Sequence, residues 1–373
     1  MKTQFRKQVS AAILILLLCV SLLPLTGVEA KGETRKFKDD AGRVVEIPEK
    51  IKSIAPSGML AQTILITAVP EKLCGIARKP ADEQLEFLPE NLGELPEFGV
   101  FYGKNANFNL EAVLKANPDI IIDIGEKKKK IAEDMDQLQK QIGIPTVFIE
   151  ANLDGMDQCY ARLEELLGKS EQLSKLQEDV RETLERSKKT REKLEKDKKD
   201  IVKVYLAMGE DGSCTDAKES FHAQVLPLIP LENVADVEPQ PKSGVTQVSM
   251  EQILLWEPDW ILVDNVRLLE DMKKDKTWEE VPAFKAGRVM LVPNMPYGFL
   301  NNPPSINRLL GLDYFGATFY PELYPFKPEE RVKEFYQLYY GTELEDEQLD
   351  KILHPSLDEK ADKNEKDKDK KKK

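Results

Sequence analysis

Apolar and polar positions alternate through the first third of the chain in two rhythms. Lys36 to Pro48 alternates strictly about an Asp-Ala-Gly turn, which predicts a β-hairpin. Lys52–Ala55 reads as a strand, Met59–Ala68 as an apolar helix, and Leu73–Ile76 as another strand. Asp119–Asp123 and Thr146–Glu150 are short apolar runs on either side of a helical pattern at Lys130–Gln141. Buried runs alternating with helices predict a parallel sheet covered on both faces.

The same grammar returns after Asp200: strands at Ile201–Met208 and Arg288–Pro293, with helices at Gln224–Leu228, Leu268–Lys274, Ser305–Gly316 and Pro328–Tyr340. Between these halves, Met156 to about Asp200 has neither proline nor strand signal, while Leu173, Leu176, Val180, Leu184 and Leu194 recur at near-helical spacing. A single helix over 171–196 would span roughly 39 Å, with Lys/Glu pairs supporting its exposed face. The apolar stripe is too short and irregular for a coiled-coil arm, so it predicts a strut between two lobes.

One block is written twice. Phe108-Asn109-Leu110-Glu111-Ala112-Val113-Leu114 runs to Pro118-Asp119-Ile120-Ile121-Ile122, and Val248-Ser249-Met250-Glu251-Gln252-Ile253-Leu254 runs to Pro258-Asp259-Trp260-Ile261-Leu262. Each copy reads as a polar cap, a short helix with a glutamate in its first turn, a proline stop and a buried strand. The copies lie too far apart for a solenoid and predict duplicated α/β halves. A ligand would then sit between them.

Composition adds the setting. The chain has 373 residues, enough for two domains, and a hydrophobic fraction of 41% that supports real cores. Lys2, Arg6 and Lys7 precede an apolar stretch from Ala11 to Leu25, and Val28-Glu29-Ala30 suits cleavage, so residues 1–30 read as a secretory signal peptide. The predicted organisation is therefore a signal at 1–30, an α/β lobe at 31–165, a connecting helix at 166–200 and a second α/β lobe at 201–327. A helical extension at 328–356 and a disordered Lys/Asp/Glu tail at 357–373 complete it. The expected setting is extracytoplasmic, either periplasmic or cell-surface associated.

A net charge of −12 argues against nucleic acid as a partner. Beyond Cys19 in the signal, Cys74, Cys159 and Cys214 are too few and scattered for a disulfide framework. There is no Walker phosphate loop. Only His222 and His354 are available as imidazoles, nothing orients a Cys214–His222 pair, and a bare zinc or manganese site would need more such donors. The reading is a non-enzymatic protein without a resident cofactor.

Ligands of open α/β sheets bind beyond the carboxyl ends of the strands. Four loops there stand out: Pro56–Met59, Phe98–Asn105, Gly209–Cys214 and Asn294–Asn302. They supply Ser57, Met59, Tyr102, Asn105, Cys214, Tyr297 and Phe299 as candidate ligand contacts, the aromatic rings facing a bulky ligand or else anchoring their loops in the core. Arg78, Arg267 and Arg308 could meet an anion or form ordinary ion pairs; Arg308 is retained as a candidate contact. Glu111 and Glu251 stand where a helix dipole alone favours a carboxylate. As a pair on related surfaces they also match a partner with two arginine pockets.

The Asp-x-x-Gly-Arg-x-Val-x-Ile-Pro opening at 39–48 and the two Glu-bearing blocks resemble the substrate-binding proteins of ABC importers for iron-siderophores, haem and cobalamin, from Asp39 to about Leu323. The resemblance implies two lobes bridged by a rigid helix. It also implies a monomer that hands its cargo, a metal chelate, to a permease served by a separate ATPase, with Glu111 and Glu251 docking on that permease. Relatives that bind molybdate or tungstate share the fold, as does a class of tetrapyrrole metal chelatases. An adhesion protein using its charged tail would bind no small ligand.

Overall fold

The computed structural model describes residues 33–102, 106–218, 225–238, 245–300 and 305–355. The expected signal peptide and the tail at 357–373 lie outside the described residues.

The hairpin forms as β1 (Thr34–Lys38) and β2 (Val44–Pro48), with Phe37 opposite Val45. Phe37, Val45 and Ile47 are buried, as the alternation requires. At its tip the Asp39 carboxylate accepts the Arg43 amide at 2.8 Å and pairs with the Arg43 guanidinium at 2.9 Å. Asp40 accepts the Glu150 amide at 2.9 Å, and Arg43 reaches the Thr146 carbonyl at 2.9 Å. The opening motif therefore stitches the hairpin to the first lobe's sheet.

That sheet is parallel, in the order β3 (Ile54–Pro56), β4 (Ile120–Gly125), β5 (Thr146–Glu150). Around it lie α1 (Met59–Ala68), α2 (Leu110–Ala116), α3 (Ile131–Ile142) and α4 (Met156–Leu167). Leu73–Ile76 makes only isolated bridges, Leu73 to Ile54 and Ile76 to Glu97. Between those bridges lies Gly75, where the Phe98 ring occupies the space any side chain would need.

The second sheet is also parallel, in the order β11 (Val289–Leu291), β10 (Trp260–Val263), β6 (Val202–Ala207), β8 (Leu231–Asn233). A two-stranded ribbon, β7 (Cys214–Thr215) with β9 (Thr246–Gln247), lies beside it. Helices α6 (Met250–Trp256) and α7 (Val266–Met272) flank β10 in sequence.

The duplicated block is the centre of each lobe. Asn109 caps α2 through the Ala112 amide at 3.0 Å, and Ser249 caps α6 through the Gln252 amide at 3.2 Å. Both helices end on a left-handed residue, Asn117 at φ 51° and Glu257 at φ 47°. The aspartate that follows each proline then receives backbone amides of the neighbouring strand: Asp119 those of Lys52 and Ser53 at 2.7 and 3.0 Å, Asp259 that of Lys203 at 2.8 Å. Each copy thereby sets the register of an inner strand of its sheet, β4 in the first lobe and β10 in the second.

The lobes are joined by α5 (Glu171–Asp197), 27 residues and about 40 Å long. Its buried face runs Leu173, Leu176, Val180, Thr183, Ser187, Thr190, Leu194. This stripe is continuous, but three of its members carry hydroxyls. It packs within the chain, against α4 and against α8 (Asn307–Phe319), a helix buried over most of its length.

The expected helical extension, described as far as residue 355, packs into the main core. Its first helix, α9 (Pro328–Tyr340), buries Val332, Phe335, Tyr336, Tyr339 and Tyr340 in the main core; α10 (Asp346–Leu353) follows. On α5, Gln172 donates to the Thr67 carbonyl of α1 at 3.1 Å and to the Leu338 carbonyl of α9 at 2.8 Å. The three helices α5, α8 and α9 meet at Asp313, which has no exposed side-chain surface. Arg186 clamps it with bonds of 2.8 and 3.0 Å, Arg331 at 2.7 Å and Thr183 at 3.1 Å. Arg331 continues to Asp179 at 2.8 Å, which Tyr339 also reaches at 3.0 Å.

Asp313→Ala would leave two guanidiniums facing each other without their shared carboxylate. The substitution should cost about 3–5 kcal/mol, read as a fall in the urea midpoint. A loss under about 1 kcal/mol would show that the network is not needed to hold the three helices together.

Candidate functional site

Because both sheets are parallel, groups beyond the carboxyl ends of β3, β4, β6, β10 and β11 are the ones positioned for a ligand. In the first lobe Ser57 leaves β3 fully buried and donates from its hydroxyl to Asp123 at the end of β4. Its carbonyl accepts the Phe101 amide at 2.8 Å, tying the Phe98–Tyr102 loop to this edge. Burial pushes the Asp123 carboxyl up to about 6, with the Ser57 bond and the charge of Lys128 acting against it. Tyr102 is half-buried, edge-on to Phe101 at 4.8 Å, and carries the Lys128 ammonium 4.1 Å from its ring centre. Burial, then the charges of Asp123 and Asp134, raise its phenol pKa, and its hydroxyl has no hydrogen-bond partner among the described residues. Met59, half-buried, opens α1; the preceding Gly58 gives no side-chain cap, so the first-turn amides remain available at this edge.

The second lobe contributes the loop from Val292 to Leu300. Asn307 holds it by donating to the Tyr297 carbonyl at 2.9 Å and is itself fixed by the Tyr340 hydroxyl, while Tyr336 donates to the Met295 carbonyl. From the first lobe Gln84 donates to the Pro296 carbonyl at 2.5 Å. Tyr297 is buried, which pushes its phenol up to about 12, and the Gln62 side chain of α1 counters that shift. Gln62 is fixed in turn by both backbone groups of Arg78, at 2.9 and 3.0 Å. Arg308 is 1% exposed. Burial pulls its guanidinium down to about 10, and Glu126 of the first lobe acts in the opposite sense from across the lobe boundary.

Other candidates take different places. Phe299 is sealed in the core, edge-on to Tyr314 at 5.5 Å, and its carbonyl presses on Gly311 so closely that a Cβ there would lie 1.9 Å away. Its ring anchors the loop. Cys214 lies half-buried in the β7–β9 ribbon with its thiol against Gly209, and burial raises its pKa. Asn105 and His222 lie outside the described residues. Arg78 and Arg267 are exposed, and Cys74, Cys159 and Cys214 are free thiols. Glu111 and Glu251 are both exposed in the first turns of α2 and α6.

Five groups in or beside the site escaped the sequence reading: Gln62, Gln84, Asp123, Glu126 and Lys128. The last three had a signal, since they end or follow a duplicated strand, where the carboxyl-edge rule points. Among the described residues no three His, Cys, Asp or Glu side chains gather as metal donors. A surface groove of about 1100 Å³ lies beneath the hairpin, lined by residues such as Glu46, Lys52, Asp119 and Gln139. It is at the opposite, amino-terminal edge of the sheet.

A family model described as periplasmic binding protein matches residues 65–296. The chain belongs to this family. Among solved structures, this periplasmic binding protein is similar to an ABC transporter solute-binding protein from Sulfurospirillum deleyianum, with 29% identity over 86% of this chain and 99% of that one and a TM-score of 0.76. A periplasmic solute-binding protein from Veillonella parvula matches at 23% identity, 86% and 97% coverage and a TM-score of 0.69. The molybdate-bound periplasmic binding protein of a Haemophilus influenzae ABC transporter matches at 21% identity, 83% and 99% coverage and a TM-score of 0.60. No curated protein matches. The expected two-lobe α/β fold and the resemblance to ABC-importer binding proteins are thus borne out. Among the described residues of this binding protein no helix is long and apolar enough to cross a membrane.

Asp123 makes the stability of the protein depend on pH. Its folded pKa of about 6 lies above the ordinary 3.8, so its contribution is fully present below about pH 4 and is lost as pH rises through 6. Above that the buried charge costs roughly 2–3 kcal/mol. Asp123→Asn should therefore melt higher than the native chain at pH 7, with the gap closing toward pH 4 in calorimetric scans. A constant gap would mean that Asp123 ionises as an ordinary carboxylate.

Proposed function

We propose that this protein, exported by a signal peptide cleaved near Ala30, captures a metal chelate of the iron-siderophore, haem or corrinoid kind between its lobes and delivers it to an ABC permease. The supporting observation is the lobe boundary itself, where Gln84 of one lobe bonds the Pro296 carbonyl in the Tyr297 loop of the other, and buried Arg308 lies within electrostatic reach of Glu126. A guanidinium, the α1 amino terminus and Lys128 suit the anionic periphery of such a complex. The Tyr102 hydroxyl is buried without a hydrogen-bond partner among the described residues, which leaves it a donor for a ligand that reaches this edge. The chelate would bring its own metal ligands, which fits the sparse donor set.

The molybdate-bound neighbour favours a second reading, a molybdate or tungstate oxyanion as cargo. A small oxyanion would use the same guanidinium, hydroxyl and amide donors without the aromatic face.

Thermal-shift and absorbance titrations with ferric siderophores, haem, corrinoids, molybdate and tungstate separate these readings. A melting temperature unmoved by all five would overturn both. For the ligand that binds, Tyr102→Phe removes only the buried, unpartnered hydroxyl and should weaken affinity about 5–10-fold by calorimetric titration; unchanged affinity would remove Tyr102 from the site. We further assign permease docking to Glu111 and Glu251. The double alanine variant should keep its cargo affinity yet lose most transport in vesicles carrying permease and ATPase, and undiminished uptake would leave these residues with helix-end roles only.

A further inference from the structure

Only three large apolar side chains among the described residues are markedly exposed: Val44 at 63%, Leu114 at 52% and Leu255 at 76%. Val44 belongs to the hairpin. The other two lie one in each copy of the duplicated helix, neither packed into a core cluster, and each stands about one turn beyond the glutamate of its helix. Leu114 follows Glu111 by three positions and Leu255 follows Glu251 by four, so glutamate and leucine share a face in both helices. Isolated exposed leucines are commonplace. An exposed leucine beside an exposed carboxylate on the helix of each lobe, where the described residues otherwise leave only Val44 as a markedly exposed large apolar group, is a surface feature the two lobes share without sharing its position.

We propose that Leu114 and Leu255 are the apolar halves of a two-part docking contact, each leucine seated against the permease beside the ion pair made by Glu111 or Glu251. The proposal deepens the docking assignment above and rests on it. The occupant follows from the fold: the patches sit one per lobe, so the surface they fit spans both lobes at once, and the partner common to binding proteins of this class is the permease. A carboxylate gives attraction at a distance and orientation on arrival. An apolar side chain that loses water at the contact slows dissociation and does so independently of salt.

The two leucines are not equivalent. Lys115 stands in the first copy where Leu255 stands in the second, and the counterpart of Leu114 is half-buried Leu254. The apolar patches therefore point about 100° apart around their helices, one on either side of the glutamate, which distinguishes the lobes to the permease although the glutamates do not.

The test is the dissociation constant of the full-length, cargo-loaded protein for its permease and ATPase in nanodiscs, at low and high salt. Leu114→Ser and Leu255→Ser should each weaken binding about 5–10-fold, chiefly through faster dissociation, with the same loss at both salt concentrations. Cargo affinity and melting temperature should stay at native values, because both sites are exposed. Glu111→Ala with Glu251→Ala should weaken binding mainly at low salt. If the glutamate variant weakens binding and the leucine variants remain within two-fold of native, the leucine proposal is overturned while docking through the glutamates stands. If only the leucine variants weaken binding, the apolar contact stands and the carboxylate assignment fails. Native affinity in every variant would overturn both.

Discussion

Asp313 is the point on which the architecture turns. It has no exposed side-chain surface and accepts hydrogen bonds from Arg186 and Thr183 on the connecting helix and from Arg331 on α9, while itself belonging to α8. Removing such charges from water costs free energy that their attraction only partly offsets, so apolar packing could match the network in net stability. What charged donors add is direction. Bidentate and bifurcated bonds fix three helices at one register, where a greasy contact would tolerate sliding.

That register reaches the cleft. α8 carries Arg308 and Asn307 at its start, and α9 carries Tyr336 and Tyr340, whose hydroxyls hold Asn307 and the Met295 carbonyl. The loop bearing Tyr297 is thus fixed from behind by the same helices that Asp313 locks together. From the front it is met by Gln84 of the first lobe, which donates to the Pro296 carbonyl. The helices that join the lobes also place the side chains at their boundary, which couples the rigidity of the strut to the geometry offered to cargo.

The duplicated block shows how one local design serves two purposes. Its cap, left-handed stop and aspartate are backbone devices that set an inner strand of each lobe's sheet. None of these uses the glutamate in the first turn or the leucine about one turn later, both of which remain in solvent. Scaffold and surface are interleaved residue by residue on the same short helix.

Much of this was legible in the chain itself. Hairpin, alternating strands and helices, two lobes and the duplicated block follow from local periodicity and capping, which short-range sterics and backbone hydrogen bonding dictate. The connecting helix was legible in extent but not in its buried stripe, because Thr183, Ser187 and Thr190 occupy core positions while spelling as polar; Asp313 and Leu228 supply the partners that make such burial affordable. Leu73–Ile76 spelled a strand, and its two ends bridge different partners, Ile54 and Glu97, which no local pattern announces. The candidate site divided in the same manner. Carboxyl-edge loops were identifiable from strand direction, whereas the sealing of Phe299 into the core, the hold of Asn307 on the Tyr297 carbonyl and the burial of Arg308 depend on residues far apart in sequence. Period and chemistry along the chain determine which elements form; only the packing of one element on another decides which polar groups lose water, and with it which side chains become structure and which remain free to bind.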